Sequence, residues 1–457
     1  MSNPVRSFDS GVRWARREAD WFTLLEVHVG DMSASAAMLS FTTSPPTCEG
    51  HAVNVLLLSP GYPADMPEFA RGLAESGARV FGVGDSPVQG LPDLVRHALS
   101  HYVQVRSLWR TDALIQELVT QLRGVEIDRI ECLWEPGIEL AATLRERFGV
   151  PGMGLAQAKL FRDKEAMKHA LDEAGIRTPR HQKVDSIAGA WEAAERIGYP
   201  LIVKPIAGAG SADTYRVDSA DDLRHVLPKL THVPQISVEE FVDGEEYTYD
   251  TITISGEIAY HNIAWYRPRP LIARSNEWIS PQVIALREVE DPSLAEGARM
   301  GREVIAALGV DTAFTHMEWY RKADGEVVFG EIGARPPGAH QVDQMKWACD
   351  FDVFRAWGSA VARGELGEAF ERRYNVATIY KRARGVGRIR KIEGTDALQR
   401  RFGEHVVWNT LLPVGSQRRD WRKTLVSDGF IMLRHEQLDA TLEMADAVGA
   451  DLHLNAQ

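Results

Sequence analysis

The sequence predicts a mixed α/β and α+β fold, with a parallel α/β domain first, a larger central domain second and a strand-rich domain last. The length of 457 residues fits about three domains at roughly 150 residues each. Short apolar runs alternate with helical stretches over residues 51–153, a pattern typical of a parallel sheet with crossover helices. Residues 154–365 contain hairpin turn signals between strand-like segments, and residues 366–457 are again rich in strand-like runs.

The composition narrows the class of protein. The chain has 64 acidic and 52 basic residues, a net charge of -12, which argues against a nucleic-acid-binding surface. Its three cysteines, Cys48, Cys132 and Cys349, are odd in number and widely separated, so we expect reduced thiols. Residues 1–20 lack the apolar core of a signal peptide, and no run approaches the roughly 20 apolar residues of a membrane helix. A cytoplasmic protein with no membrane partner is expected.

The first 153 residues divide into an extension and the α/β domain. Residues 1–50 are predicted to be an N-terminal extension that ends in a Pro-containing linker. Gly82-Val83-Gly84 follows a predicted strand, but the third glycine of a dinucleotide fingerprint is missing, so a strand-to-loop turn is the better interpretation. Strands are predicted at 53–58, 78–83 and 130–133, and a helix at 114–122.

The central domain is predicted to begin near Gly154. Met167 and Leu171 lie at helical spacing before Gly175, and Ser186 caps a second helix. Strands are then predicted at 201–204, 235–242, 246–254 and 258–265, followed by a helix at 294–308 and a hairpin at 314–332.

The hairpin has a geometry that can be worked out from its turn. If the turn signal Asp324-Gly325 lies at its centre, Glu318 and Glu331 face each other directly, while Met317 and Ile332 point to the other, apolar face. Like charges at opposed positions are destabilising, which predicts a divalent cation between the carboxylates. Mg²⁺, held by carboxylates and phosphate oxygens, fits best. The alternatives are a solvated glutamate at a strand end or a slipped register.

A lysine and a loop of small residues strengthen this prediction. Lys204 ends an apolar strand and is followed by Pro205. Residues 207–213 are small enough for their backbone N–H groups to bind phosphate, although no Gly-Lys-Ser/Thr of a Walker loop is present.

The order of these motifs resembles the ATP-grasp superfamily over roughly residues 155–360. The pieces that carry the resemblance are Asp163-Lys164, Ile202-Val203-Lys204-Pro205 with the loop, Val238-Glu239-Glu240-Phe241-Val242 with Gly244 and Glu246, His316-Met317-Glu318, and Glu331-Ile332-Gly333-Ala334-Arg335. The resemblance implies an ATP-grasp fold over residues 154–365 with a mobile lid at about 180–240. It also implies a preceding α/β domain and a closing domain like that of amino-acid ligases.

The resemblance further implies a role for each matched residue. Phosphate contacts are implied for Lys164 and Lys204, the latter also near the adenine, and for the loop residues Gly208, Gly210 and Ser211. Adenine contacts are implied for Glu239, Glu240, Phe241 and Val242, and ribose contacts for Glu246. Glu318 and Glu331 would bind one or two Mg²⁺ ions, with Mn²⁺ as a substitute, and Arg335 would stabilise the charge that develops during transfer. The implied cofactors are therefore ATP and Mg²⁺.

One position departs from the family pattern. Members of the superfamily usually have Asn two residues after the second metal-binding Glu, and here that position is Gly333. By the predicted register His316 lies opposite Gly333, so its imidazole could fill the gap or could be a hydrogen-bonded structural histidine. A site that binds nucleotide without catalysis also stays open.

The expected activity is carboxylate–amine ligation through an acyl phosphate. Biotin carboxylases have Glu four residues after the equivalent of Arg335, but here that position is Ala339, which weighs against carboxylation without removing it as an alternative. Arginines and tryptophans between 254 and 285 are candidates for binding a substrate carboxylate and side chain, or equally for surface and core roles: Trp265, Arg267, Arg269, Arg274 and Trp278. The expected partners are small carboxylates and amines, most simply amino acids or short peptides, with a homodimer left open.

Overall fold

The computed structural model describes residues 52–206 and 213–457, so the predicted N-terminal extension, with Cys48, lies outside the described residues. Mixed α/β architecture is confirmed, with a parallel sheet first and mainly antiparallel sheets after it. Cys132 and Cys349 are buried free thiols. None of the described helices is both long and apolar enough to cross a membrane.

The first described segment folds around a parallel sheet, as the alternation of strands and helices predicts. Its elements are β1 Asn54–Leu58, α1 Met66–Glu75, β2 Arg79–Gly84, α2 Asp93–Ala98, β3 His101–Gln104, α3 Thr111–Gln121, β4 Arg129–Glu131, α4 Ile138–Phe148 and α5 Leu155–Leu160. The strand order is β3-β2-β1-β4, and every pair is parallel. The loops that follow these strands therefore share one edge of the sheet, the edge at which open α/β sheets bind ligands.

A second, antiparallel sheet occupies the segment predicted as the lid. Its elements are α6 Lys164–Glu173, β5 His181–Val184, α7 Ile187–Ile197, β6 Leu201–Pro205, β7 Tyr215–Val217, α8 Ala220–Val226 and β8 Ile236–Glu240. The strand order is β5-β8-β6-β7, with α7 and α8 packed in one apolar core. Ser186 caps α7 as predicted, because its hydroxyl accepts a hydrogen bond from the N–H of Gly189 at 3.2 Å.

The central sheet has nine strands within the described residues. Its first part consists of β9 Glu245–Ile254, β10 Glu257–Asn262, β11 Ala264–Arg267, α9 Pro270–Ser275, β12 Gln282–Ala285, α10 Ala295–Ala307, β13 Ala313–Arg321, β14 Val327–Gly333, α11 Gln341–Cys349 and α12 Val353–Arg363. The single strand predicted at 258–265 is in fact divided between β10 and β11, which pair with β9 separately.

The last segment completes the same sheet. Its elements are β15 Asn375–Tyr380, β16 Arg384–Gly385, β17 Ile389–Glu393, α13 Thr395–Phe402, β18 Val406–Asn409, β19 Phe430–His435, α14 Leu438–Asp451 and β20 His453–Ala456. β15 pairs with β12, and β19 and β18 continue the sheet outward. The residues predicted as a separate strand-rich domain therefore share a sheet with the central part, while β16, β20 and β17 form a small sheet of their own.

Two glycines allow the first segment to pack closely on the central one. Gly72 of α1 faces Gly358 of α12, and a Cβ atom on either would overlap backbone atoms of the other helix. The neighbouring rings of Phe69, Phe354 and Trp357 pack edge to face around this crossing. The relative position of α1 and α12 thus depends on the absence of two side chains.

Replacing Gly358 with Ala should lower the free energy of unfolding by about 1–3 kcal/mol, because the added methyl group meets rigid backbone. This loss should outweigh the roughly 0.5–1 kcal/mol that Ala gains over Gly within a helix. Urea unfolding measures both effects. Gly449→Ala in α14 is the matched control, because the atom nearest to its added Cβ is a side-chain atom, the amide nitrogen of Gln282 at 3.3 Å, and not backbone. Equal stability of the two variants would contradict the close-packing interpretation.

Candidate active site

The predicted pairing of the two hairpin glutamates is confirmed. Glu318 of β13 lies directly opposite Glu331 of β14, and His316 lies opposite Gly333. The turn differs from the predicted two-residue turn, because the N–H of Lys322 donates to the carbonyl oxygen of Glu326 at 2.9 Å and closes a longer loop.

A β-bulge at Gly330 restores the register that this longer loop would otherwise shift. Trp319 pairs with Phe329 and not with Gly330, so both rings stay on the buried face of the hairpin. A Cβ on Gly330 would lie 2.8 Å from the carbonyl oxygen of Glu318, which explains glycine at this position. The bulge therefore keeps the aromatic rings in the core and both glutamates on the opposite face.

Lys164 neutralises one of these glutamates. Asp163 caps α6, since its side chain accepts hydrogen bonds from the N–H groups of Glu165 and Ala166, and Lys164 begins the helix. Its Nζ donates to Oε1 of Glu331 at 2.7 Å. Burial would raise the pKa of Glu331, but Lys164 and Lys204 lower it below its ordinary value. Lys164 therefore relieves part of the carboxylate repulsion from which the divalent cation was predicted, and the cation itself stays a prediction.

Glu239 joins three elements through a buried charge cluster. Lys168 of α6 contacts its Oε1 at 2.8 Å, and Lys204 of β6 contacts its Oε2 at 2.9 Å. Burial opposes the charge on Glu239, but the two ammonium groups outweigh it and hold the pKa of this carboxyl far below its usual range. Burial also lowers the pKa of Lys168, whereas Glu239 overcomes burial at Lys204 and raises the pKa of that lysine. Lys168 was not predicted, although it lies one helical turn after Lys164.

Glu246 forms a second buried ion pair on the cleft wall. Its Oε2 lies 3.3 Å from Nε of Arg269, whose Nη1 donates to the carbonyl oxygen of Val242 at 2.7 Å. Burial and the nearby charge of Glu318 raise the pKa of Glu246 to about 8, although Arg269 opposes the shift. The contact with Arg269 therefore favours the charged form of Glu246 against burial and against the charge of Glu318.

His316 is a hydrogen-bonded histidine that also lines the cleft. Its Nδ1 lies 2.6 Å from Oδ1 of Asp250, and its Nε2 lies 3.7 Å from Oε1 of Glu318. Burial would lower the pKa of His316, but Asp250 and Glu318 raise it to about 9. Across the ladder, a Cβ on Gly333 would contact the Arg335 side chain at 3.5 Å. The space left by Gly333 is thus bordered by the Arg335 side chain, and His316 is the ladder partner of this glycine.

Arg335 is bound by a glutamate that the sequence did not single out. Glu135 follows β4 in the first segment, and its Oε2 accepts hydrogen bonds from Nε and lies near Nη2 of Arg335, at 2.9 and 2.8 Å. Arg162 contacts the other oxygen of the same carboxylate. The position of Glu135 just after a parallel strand is a signal that could have found it, because ligand-binding residues of such sheets follow their strands.

One cleft brings most of the predicted residues together. It is lined by predicted residues Lys164, Lys204, Glu239, Glu240, Val242, Glu246, Glu318, Glu331 and Arg335, and by Glu135, Thr214, Arg269, His316 and Tyr320 among others. The loop residues Gly208, Gly210 and Ser211 lie outside the described residues.

The predicted adenine segment is already engaged in protein contacts. The ring of Phe241 lies against the guanidinium groups of Arg216 and Arg269, at 4.2 and 4.8 Å, and is not part of the cleft lining. The N–H of Glu240 donates to the carbonyl oxygen of Arg180 at 2.8 Å, and that of Phe241 to Pro200 at 3.1 Å. Adenine recognition by this segment therefore stays a prediction, and these two N–H groups are committed elsewhere in this conformation.

Of the arginines and tryptophans between 254 and 285, one reaches the cleft wall. Arg269 lines it, whereas Arg267 pairs with Asp446 and Nε1 of Trp265 donates to Glu245. The side chain of Trp278 is exposed. Arg267 and Trp265 thus make contacts with other side chains outside this cleft, and a role of either in substrate binding stays a prediction.

Comparison with known proteins shows what the segment that supplies most of this cleft is similar to. Residues 169–342 match the family model of the ATP-grasp domain. The chain contains an ATP-grasp domain. It is 27% identical over 257 residues to an L-arginine-specific L-amino acid ligase of Bacillus subtilis, a match that covers 52% of this chain and 61% of the relative. The matched part is thus less than two thirds of that relative.

Solved structures of other proteins resemble this chain in fold well beyond the matched domain. An L-amino acid ligase from Bacillus licheniformis superposes with a TM-score of 0.71 at 20% identity, covering 89% of this chain and 99% of that one. An N5-carboxyaminoimidazole ribonucleotide synthetase from Thermotoga maritima gives 0.64 at 16% identity, covering 89% and 100%. The same fold thus serves different reactions, and the reaction of this chain has to be argued from its site.

The Glu239 cluster should dominate the stability of the ATP-grasp domain. Glu239→Gln should lower the free energy of unfolding by about 3–5 kcal/mol, because two buried ammonium groups lose their counter-charge. Lys168→Met should cost less, because Glu239 keeps Lys204 and methionine fills similar volume. Urea unfolding at neutral pH compares the two variants. A larger loss for Lys168→Met would contradict this assignment of the charges.

Proposed function

We propose that this protein is an ATP-dependent ligase that joins a carboxylate to an amine through an acyl phosphate, releasing ADP and phosphate. The observation that carries the proposal is the arrangement of one cleft. Lysines and a facing glutamate pair lie on one part of its wall, and the Arg335–Glu135 pair lies on another. The similarity to an amino-acid ligase supports the same reaction class.

The lysines and the facing glutamate pair suit the binding of a nucleoside triphosphate. Lys164 and Lys204 supply ammonium groups for phosphate oxygens, in exchange for part of their present contact with Glu331 and Glu239. Glu318 and Glu331 present carboxylate oxygens from opposed ladder positions, which is the donor type that Mg²⁺ prefers, with Mn²⁺ as a substitute. A bound ion there would neutralise charge on the transferred phosphoryl group. These residues would position the triphosphate and neutralise its charge, which is most of what phosphoryl transfer requires.

The second group suits an amino acid. Arg335 can bind a carboxylate with its planar guanidinium, and Glu135 can accept a hydrogen bond from an ammonium group. The two side chains now satisfy each other at 2.8 Å, so an amino acid with both charges could replace this contact by two of its own. We therefore place the amino acid to be activated between Arg335 and Glu135.

The reaction then proceeds in two displacements. A carboxylate oxygen of the first substrate attacks the γ-phosphorus of ATP, the bond to the β-phosphate oxygen breaks, and ADP leaves. The nitrogen of the amine substrate next attacks the acyl carbon, the C–O bond to phosphate breaks, and inorganic phosphate leaves as the nitrogen loses a proton. Water must be excluded in the interval, because an acyl phosphate hydrolyses. Closure by residues 207–213 stays a prediction.

Two alternative functions each depend on one residue of the site. A carboxylating reaction would use bicarbonate, but Ala339 lacks the carboxylate expected for that chemistry. Gly333 lacks the amide that usually completes the metal site, so a nucleotide-binding protein without ligase activity is the second alternative. Arg335 borders the position of Gly333, and its ladder partner His316 lines the same cleft, so both provide other polar groups to the site.

Turnover should release ADP and phosphate in equal amounts, and only when a carboxylate and an amine are both present at saturating Mg²⁺. Chromatography of the nucleotides and a phosphate assay over a panel of amino acids measure this. AMP with pyrophosphate would indicate an adenylate mechanism, and dependence on bicarbonate would favour the carboxylating alternative.

Glu318 and Glu331 should respond differently to the loss of their charge. Glu318→Gln should leave the apo protein as stable or slightly more stable, because it removes repulsion with Glu331 and Glu246. Glu331→Gln should lower stability, because Lys164 loses its carboxylate partner. Both variants should lose ligase activity, because each removes a proposed ligand of the ion.

Thermal melts without nucleotide and an activity assay with a Mg²⁺ titration separate these effects. Lys322→Met, at a partly exposed ion pair in the turn of the same hairpin, is the control and should keep activity. An active Glu318→Gln protein would remove the metal site from the proposal.

A further inference from the structure

Three aromatic side chains meet at the carboxyl edge of the parallel sheet. Tyr62 follows β1, Trp109 follows β3 and Trp134 follows β4. The Trp134 ring contacts the other two edge to face, with centroid distances of 5.4 Å to Tyr62 and 5.2 Å to Trp109. Trp134 is half-buried, whereas Tyr62 is 61% exposed and Trp109 is 48% exposed. These three rings are called the aromatic face below.

The aromatic face borders the segment that carries Arg335. Trp134 immediately precedes Glu135, which binds Arg335. The loop that carries Tyr62 ends near Asp65, whose Oδ1 lies 3.3 Å from Nδ1 of His340, five residues after Arg335. Two of the three loops that supply the rings thus contact both ends of residues 335–340. The aromatic face is therefore joined through its loops to Glu135 and to the segment that carries Arg335, and its rings lie outside the lining of the cleft itself.

Exposed rings of this size are costly in water. Aromatic side chains are mostly buried in folded proteins, and adjacent exposed rings often mark a binding site. Small-molecule sites combine such apolar walls with a few polar groups that orient the ligand. Here Arg335 and Glu135 are the orienting groups, and the rings are the apolar wall. Two arginines flank Trp109, at positions 106 and 110, and they disfavour a cationic ligand.

We infer that the aromatic face binds the side chain of the amino acid that is activated, and that this side chain is large and apolar. The inference rests on the proposed function and deepens it by naming the substrate class. An amino acid held between Arg335 and Glu135 would direct its side chain along the loop of Trp134 toward Tyr62 and Trp109. Phenylalanine, leucine and methionine would then be preferred to glycine, serine or lysine.

The test is the selectivity of ATP turnover and of binding. With one fixed amine substrate, kcat/KM for phenylalanine should exceed that for glycine in the wild-type protein. Trp109→Ala should lower this ratio about tenfold to hundredfold, the size expected when a buried apolar contact is lost. Trp109→Phe should recover most of it. Phe148→Ala is the control, because Phe148 is a partly exposed ring at the end of α4, and it should leave the ratio unchanged.

Calorimetric binding of phenylalanine and glycine in the presence of Mg²⁺ and a non-hydrolysable ATP analogue gives a second readout. It tests the inference even if no amine substrate supports turnover. A failure of the proposed ligase activity can therefore be distinguished from a failure of the inferred side-chain preference. A wild-type preference for small or cationic amino acids would overturn the inference. An unchanged phenylalanine-to-glycine ratio in Trp109→Ala, by turnover and by binding, would overturn it as well.

Discussion

The need to pair buried charges organises this molecule. Five glutamates of the described cleft wall are held by cations from other elements: Glu135 by Arg335 and Arg162, Glu239 by Lys168 and Lys204, Glu240 by Arg177 and Arg180, Glu246 by Arg269, and Glu331 by Lys164. An unpaired charge in such surroundings would cost several kcal/mol. Each pair therefore fixes the relative position of two elements. It also places a positive and a negative side chain where a charged ligand could replace one partner of the pair. Glu318 differs, because its only described ion-pair contact is the long one to His316.

The sequence allowed the hairpin to be predicted because period and turn chemistry are local properties. The pairing of Glu318 with Glu331 followed from a turn signal, yet the turn was longer than predicted and Gly330 corrected the register. The longer turn and the bulge at Gly330 shift the strand register in opposite directions, so their effects cancel. No sequence pattern showed either of them. Lysine at the start of α6 and at the end of β6 was likewise recognisable from motif order.

Contacts between distant segments could not be predicted in the same way. Glu135 lies 200 residues from Arg335 along the chain, and their contact exists only once two sheets are packed. Lys168 is one of two lysines in α6, and its burial depends on Glu239, 71 residues later. The position of α1 on α12 depends on Gly72 and Gly358, whose importance is visible only when the opposing backbone is known. Long-range packing supplies what motif order leaves out.

The pairing of β12 with β15 limits how the chain can be divided. All four residues of β12 are buried, and one of its edges is covered by β15 from the last segment. A shortened protein that ended near residue 366 would expose that edge, with its unpaired N–H and carbonyl groups and its apolar faces. Such an edge is a template for aggregation with other chains. The C-terminal segment is thus a protective cover for the central sheet, and recombinant domain swaps should leave it joined to residues 154–365.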